Sequence, residues 1–259
     1  MIIGWGSWHG SGATTGALAM AVSLAARGDE PVWLIEADPC GGVLAARLGL
    51  HEGVGGLERL AFPTGGAVRP PESAAWFAGA AAIASNLHLV PAPGDAFRAW
   101  SCHSPRADWP GALRELPGHT VVDLGRLHPG APVGAVLDRL DELMVVVSDD
   151  VVSVAAAVEW AEARGRVAPQ AACLAHDIAR LVLASAPGSP EPIGCMATEV
   201  ELGDRLAGRL PWAPDTAAAL HRGVDLGSRR WAREPLLHAI GHLVERCLSR
   251  TAAIEGVPA

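Results

Sequence analysis

Between positions 7 and 15 the chain reads Ser-Trp-His-Gly-Ser-Gly-Ala-Thr-Thr and then becomes Ala-rich. Gly10 and Gly12 let successive backbone N–H groups turn inward. The start of a helix just beyond them adds partial positive charge, so the segment can cradle a phosphate. Thr14 adds a hydroxyl, an oxygen ligand of the kind a hard cation such as magnesium accepts. Farther along, Asp38 and Asp123 each stand at the end of an apolar run. Strand ends are where open α/β sheets build their sites, which makes both carboxylates candidates. The competing reading of each is a capping or turn aspartate.

The general phosphate-loop pattern is G-x4-G-K-[ST]. Laid on without gaps, Ser7 takes the first glycine position, Gly12 the second, Ala13 the lysine and Thr14 the hydroxyl. Two of the four defining positions fail, so on this stretch alone a plain glycine turn feeding a helix competes equally. A dinucleotide-binding loop is a further alternative, because Glu36 closes the second strand where a ribose-binding acid would sit. Its G-x-G-x-x-G frame fails: starting at Gly4 the third glycine is His9, and starting at Gly10 it is Thr15. His103, His119 and His128 lack metal-ligand spacing and are expected to be exposed or capping. No G-x-S-x-G elbow is present to suggest a hydrolase triad.

The elements that must position these groups alternate. Strands are expected at Ile2–Gly6, Pro31–Ala37, Asn86–Val90, Thr120–Leu124, Leu143–Ser148, Arg180–Ser185 and Leu206–Leu210. Helices are expected at Thr14–Arg27, around Gly42–Leu48, near Ala74–Ser85, at Val151–Arg164 and at Pro235–Ser249. Short strands, apolar on both faces and separated by helices, predict an α/β fold: a mostly parallel sheet covered on both sides. Gly94–Asp108 and Pro187–Glu199 read as surface loops. Without a repeat or long linker, residues 1–259 are read as one domain.

Half of the 259 residues are hydrophobic, enough for a sizeable core. The 20 basic residues are all arginine. The chain therefore has no ε-ammonium group with which to hold a phosphate or form a Schiff base. A net charge of −8 argues against a generic grip on nucleic acid or an anionic membrane. The exception weighed is a local arginine patch at Arg222, Arg229, Arg230 and Arg233, read as solvated surface. Five cysteines without CxxC spacing fit reduced thiols and a cytoplasmic setting, with neither a disulfide framework nor a zinc site. No apolar run reaches membrane-spanning length.

Five segments, taken in order, carry a resemblance. The loop above is followed by Glu36-Ala37-Asp38-Pro39-Cys40-Gly41-Gly42 and Leu48-Gly49-Leu50, then by Asp123-Leu124-Gly125, then by Val145-Val146-Val147-Ser148-Asp149-Asp150. Late in the chain comes Gly208-Arg209-Leu210-Pro211-Trp212-Ala213-Pro214-Asp215. In this sequence of motifs, from about residue 2 to 250, the chain resembles the MinD/ParA family of deviant P-loop ATPases. The resemblance implies the P-loop fold and a nucleotide site at Gly10, Ser11, Gly12, Ala13, Thr14, Thr15, Asp123 and Pro211. Magnesium would lie at Thr14 and Asp123, and Asp38 would be the catalytic-side aspartate.

The family loop carries two lysines, and this one carries neither. Trp8 stands at the signature lysine position, or His9 if one residue is skipped, and Trp8 could fill part of the phosphate site. Ala13 stands at the lysine that holds the β- and γ-phosphates. Gly10–Thr15 is similar to the G-x-G-A-[ST]-T loop of the CpaE/TadZ branch, which serves Flp/Tad pili, and to loops of actinobacterial septum-site and chromosome-partitioning relatives. Removing one preorganised donor from a developing charge costs about 2.7–4 kcal/mol, so fast hydrolysis is not expected. The implied cofactor is weakly held ATP or ADP with magnesium, or none. The implied partners are a pilus or secretion ATPase, a division or positioning component, or a second copy of the chain. The alternatives are a slow ATPase switch, with Arg47 or Arg126 replacing the lysines, and a scaffold that uses no nucleotide. The Ser185-Ala186-Pro187 stretch replaces the family's adenine-binding Asn. The closing helix is expected to dock on the sheet, not in a membrane.

Overall fold

The computed structural model describes residues 1–10, 12–50, 56–62, 76, 78–128, 130–167, 178–185, 202–228, 231 and 233–254. The loop expected at Pro187–Glu199, together with Ser11, Ala186, Pro187, Arg229, Arg230, Cys173 and Cys195, lies outside these residues.

Eight strands form one sheet: β1 (Ile2–Ser7), β2 (Val32–Glu36), β3 (Ala81–Ala84), β4 (Leu87–Val90), β5 (His119–Arg126), β6 (Glu142–Ser148), β7 (Ala179–Ala184) and β8 (Leu206–Leu210). Their order is β3-β4-β2-β5-β1-β6-β7-β8, and every neighbouring pair is parallel except β3 with β4. The central strands are buried on both faces, and so their sequences are continuous apolar runs such as Leu143–Val147. All parallel strands end at the same edge. The registers Trp5↔Asp123 and Glu36↔Asp123 set the two acids side by side across β2 and β5.

The described helices are α1 (Ala13–Ala25), α2 (Leu44–Arg47), α3 (Gly56–Ala61), α4 (Ala96–Ser101), α5 (Gly134–Leu137), α6 (Val151–Val167), α7 (Pro214–His221) and α8 (Pro235–Ile254), with 3-10 turns at Trp109–Glu115 and Gly203–Arg205. α1 is apolar almost all round because it is enclosed between the sheet and α8. Leu236, Leu237, Ile240, Leu243 and Val244 of α8 are buried in that layer, each contributing roughly 1.5–3 kcal/mol. At its far end α8 is tied to the sheet by Arg250, whose Nη2 donates to Glu142 at 2.7 Å. Trp33, Trp109, Leu113, Val136 and Ala157 fill the opposite face.

Two expectations need correction. The Ala-rich stretch near Ala74–Ser85 was expected to be helical throughout, yet Ala81–Ala84 is a strand that hairpins through Ser85 and Asn86 onto β4. Alanine favours a helix only weakly, and pairing with the free edge of β4 outweighs that preference. Gly94–Asp108, expected to be a loop, contains α4. Asp95 caps α4 by accepting from the Arg98 N–H at 2.9 Å, and Arg98 pairs with Glu58 of α3.

Candidate functional site

β1 delivers the chain into the glycine loop at the C-terminal edge of the sheet. The turn out of β1 is pinned on both sides: Trp8 N–H donates to Val146 O at 3.1 Å, and Leu127 N–H donates to Ser7 O at 2.9 Å. Gly10 and Gly12 have φ of 76° and 100°, a conformation that favours glycine. A Cβ placed on either would meet no described atom within 4 Å, so the loop is open there. Trp8 is half-buried, packs against the core on the α6 side of the sheet and meets His9 edge-on at 5.8 Å. Gly12 caps α1 without a side-chain bond, and the first turn holds no acid. Ala13, 4% exposed, is the first residue of α1, and no basic side chain occupies that position.

Asp123 is fully buried within β5, three positions before its end. Its Oδ1 accepts from Gly125 N–H at 3.0 Å, while Oδ2 is buried with no hydrogen-bond partner among the described residues. Burial pushes its carboxyl up to about 7, opposed by the Thr14 hydroxyl and the Gly125 N–H and reinforced by Glu36 and Asp38. A buried acid with one unpartnered oxygen beside the Thr14 hydroxyl is a donor set suited to a magnesium ion.

Asp38 lies just beyond β2, half-buried, and its Oδ1 accepts from Cys40 N–H at 2.7 Å. Burial raises its carboxyl, while the Cys40 N–H and nearby His128 pull it back. It seats against the backbone of Gly125, where φ is 61° and a Cβ would come within 2.0 Å of the Asp38 carboxyl. The two aspartates are thus joined through one glycine. The sequence reading treated Gly125 only as part of a motif.

Glu36 has a different role from the one weighed for it. Its Oε1 accepts from Val43 N–H at 2.6 Å and Leu44 N–H at 2.9 Å, and its Oε2 from Ala92 N–H at 3.2 Å. The carboxylate is 1% exposed and fully engaged in closing the Asp38 turn onto the end of β4, so it cannot act as a ribose-binding acid.

Thr15 points away from Asp123. Its hydroxyl lies 2.9 Å from His221 Nε2 at the end of α7, and Arg47 Nη1 lies 3.2 Å from His221 Nδ1. Burial, helped by Arg47, lowers the His221 ring to about 4, so it is neutral at pH 7. Arg47 is thus linked to the first turn of α1 through His221. Arg47 could be singled out from sequence, but no local signal reveals His221, which lies 206 positions from Thr15. Burial and Asp38 raise the Cys40 thiol, while Arg126, exposed at the end of β5, pulls it back and so flanks the Asp38 turn. Pro211 follows β8 at the same sheet edge, where the chain turns into α7. Of the three histidines expected to be exposed or capping, His128 caps Gly130 N–H at 3.2 Å. His103 instead packs edge-on against Trp109, and burial lowers it to about 4. Among the described residues no three His, Cys, Asp or Glu side chains gather as a metal site. None of the described helices is long and apolar enough to cross a membrane.

No protein-family model matches the sequence, and no curated protein matches it. Solved structures do. A ParA family ATPase from Chlorobium tepidum superposes with a TM-score of 0.73 at 18% identity, over 95% of this chain and 98% of that one. The cell division ATPase MinD of Pyrococcus furiosus gives 0.73 at 20% identity, over 97% and 99%. The septum site-determining protein MinD of Pyrococcus horikoshii, complexed with Mg-ADP, gives 0.70 at 16%, over 98% and 97%. At these identities the likeness establishes the fold: a mostly parallel α/β sheet of the MinD/ParA P-loop type.

Proposed function

We propose that this MinD/ParA-like chain is a cytoplasmic positioning or assembly factor, one domain over residues 1–259, with a degenerate nucleotide site that hydrolyses ATP weakly or not at all. The observation that carries the reading is Ala13. It occupies the first position of α1, in a chain that has no lysine anywhere.

The rest of the site fits a magnesium nucleotide. Gly10 and Gly12 are open, the start of α1 is uncapped by any side chain, and Asp123 keeps a buried oxygen unpartnered beside Thr14. When bound, the nucleotide would supply a transferable phosphoryl group. Backbone N–H groups of Gly10–Thr15 would hold the phosphates, Thr14 and Asp123 the magnesium, and Pro211 would flank the base. Asp38, seated on Gly125, would orient a water. The loop carries no lysine to gather charge as it moves to the leaving oxygen. Each missing donor costs about 2.7–4 kcal/mol of transition-state stabilisation, roughly a hundred- to thousandfold in rate.

The partners proposed are proteins: a pilus or secretion ATPase, as for the CpaE/TadZ branch, a division or positioning component, or a second copy of this chain. Val43, Val151 and Val152 are exposed beyond the ends of β2 and β6, which supports a protein contact at this edge. A net charge of −8 disfavours nucleic acid and anionic membranes. Calorimetric titration with ATP and magnesium, paired with phosphate release, tests the proposal. Weak binding with negligible release is expected. Tight binding with rapid turnover overturns it.

A second reading, a slow ATPase switch, draws on one observation: Arg47 contacts His221, which in turn contacts Thr15 in the first turn of α1. Under it, Asp38→Ala abolishes a slow but measurable phosphate release. An unchanged rate counts against it.

A further inference from the structure

Away from the nucleotide edge, α8 carries His238 and His242. Four positions apart on a helix, they share one exposed face. Their Nε2 atoms lie 3.2 Å from each other, with ring centroids 4.6 Å apart and ring planes at 81°. Two imidazole nitrogens at that separation match the bite of a transition metal. An ion held about 2.0–2.1 Å from each would subtend roughly 99–106°, close to tetrahedral.

We propose that His238 and His242 form a binding site for a divalent transition-metal ion of the imidazole-preferring class, zinc, nickel or copper. The surroundings suit it. Glu245, one turn on, places Oε2 3.6 Å from His242 Nδ1. A carboxylate on that side keeps the ring proton on Nδ1 and leaves Nε2 free as a ligand. Arg27, which follows α1 and lines the same cleft, is neutralised by the same Glu245, to which its Nη2 donates at 3.0 Å, and is further anchored on Gly241 O at 3.1 Å. The pair borders a cleft of about 590 Å³ between α1 and α8, which Ser23, Ser228 and Trp231 also line. With only two protein ligands, the remaining coordination positions belong to solvent or to a small anion entering that cleft. Hard oxygen-seeking ions such as magnesium find no carboxylate ligand at the bite and are excluded by this donor set.

The test is calorimetric titration of the metal-stripped protein with zinc chloride, on a Cys40→Ser background that removes the one thiol exposed among the described residues. One saturable site per chain is expected. His238→Ala and His242→Ala, both at exposed positions that should leave the fold intact, each weaken it at least about tenfold. His128→Ala, on another part of the molecule, leaves it unchanged. Copper titration followed by electron paramagnetic resonance should report two nitrogen ligands in the parent and fewer in either variant. Absence of saturable zinc binding overturns the proposal, leaving only a hydrogen bond between two rings. So does binding that neither substitution affects.

Discussion

Gly16→Ala sets two opposed effects against each other in α1. In an exposed helix the change would stabilise by about 0.5–1 kcal/mol, because alanine loses less backbone entropy than glycine. Here the added Cβ would come within 2.3 Å of Trp5 Cζ3 and 2.4 Å of Cε3. The indole must retreat by more than 1 Å to restore ordinary contact, yet Trp5 is wholly buried between the sheet and α1. Overpacking of this kind costs about 1–3 kcal/mol, and the rigidity of an indole puts it at the upper end. The net expectation is a loss of about 1–2 kcal/mol, or a melting temperature lower by roughly 2–8 °C for a chain of this size. Thermal unfolding followed by circular dichroism measures it. Gly28→Ala serves as the control, since no described atom lies within 4 Å of its Cβ, and it should stay within about 0.5 kcal/mol. A variant at Gly16 as stable as the parent, or more so, would refute the packing argument, because helix propensity would then have won.

Glu36→Ala strands three backbone N–H groups that the carboxylate now satisfies, so a loss of about 3 kcal/mol or more is expected in denaturant unfolding. His103 is held near 4 by burial, against an ordinary 6.5. Its contribution is fully present above 6.5 and lost as pH falls toward 4, where the unfolded chain takes up the proton first. His103→Gln should flatten the fall in stability between pH 7 and pH 4.5 by about 2–3 kcal/mol, read from melts across that range. Arg47→Ala separates the two functional readings: it leaves phosphate release at background under a degenerate site, but lowers a real slow rate at least tenfold under the switch reading.

The regular part of the fold was legible because it is local. Leu143–Val147 and Val32–Ile35 are apolar on both faces, which only a doubly covered parallel strand requires. The hairpin strand Ala81–Ala84 was not, since its identity comes from the partner edge rather than from its own residues. α4 was hidden because it is only six residues long, although Asp95 three positions before Arg98 was a readable cap. At the site, Thr14, Asp38 and Asp123 could be singled out as residues at the ends of strands and loops. That the last two meet across Gly125, and that Thr15 reaches His221, depends on contacts between distant segments. Glu36 illustrates the limit from the other side: its residue type suggested a ligand, and only its three N–H partners reveal a structural carboxylate.

The central claim is that the missing lysine, not the rest of the site, sets the activity. Side-by-side phosphate release and ATP titration of the parent and Ala13→Lys test it most directly. Restoring that one donor at the start of α1 should tighten ATP binding and raise turnover by about a hundredfold or more over a near-background parent. A parent that already turns over ATP rapidly would contradict the account. So would a folded Ala13→Lys protein that shows neither gain.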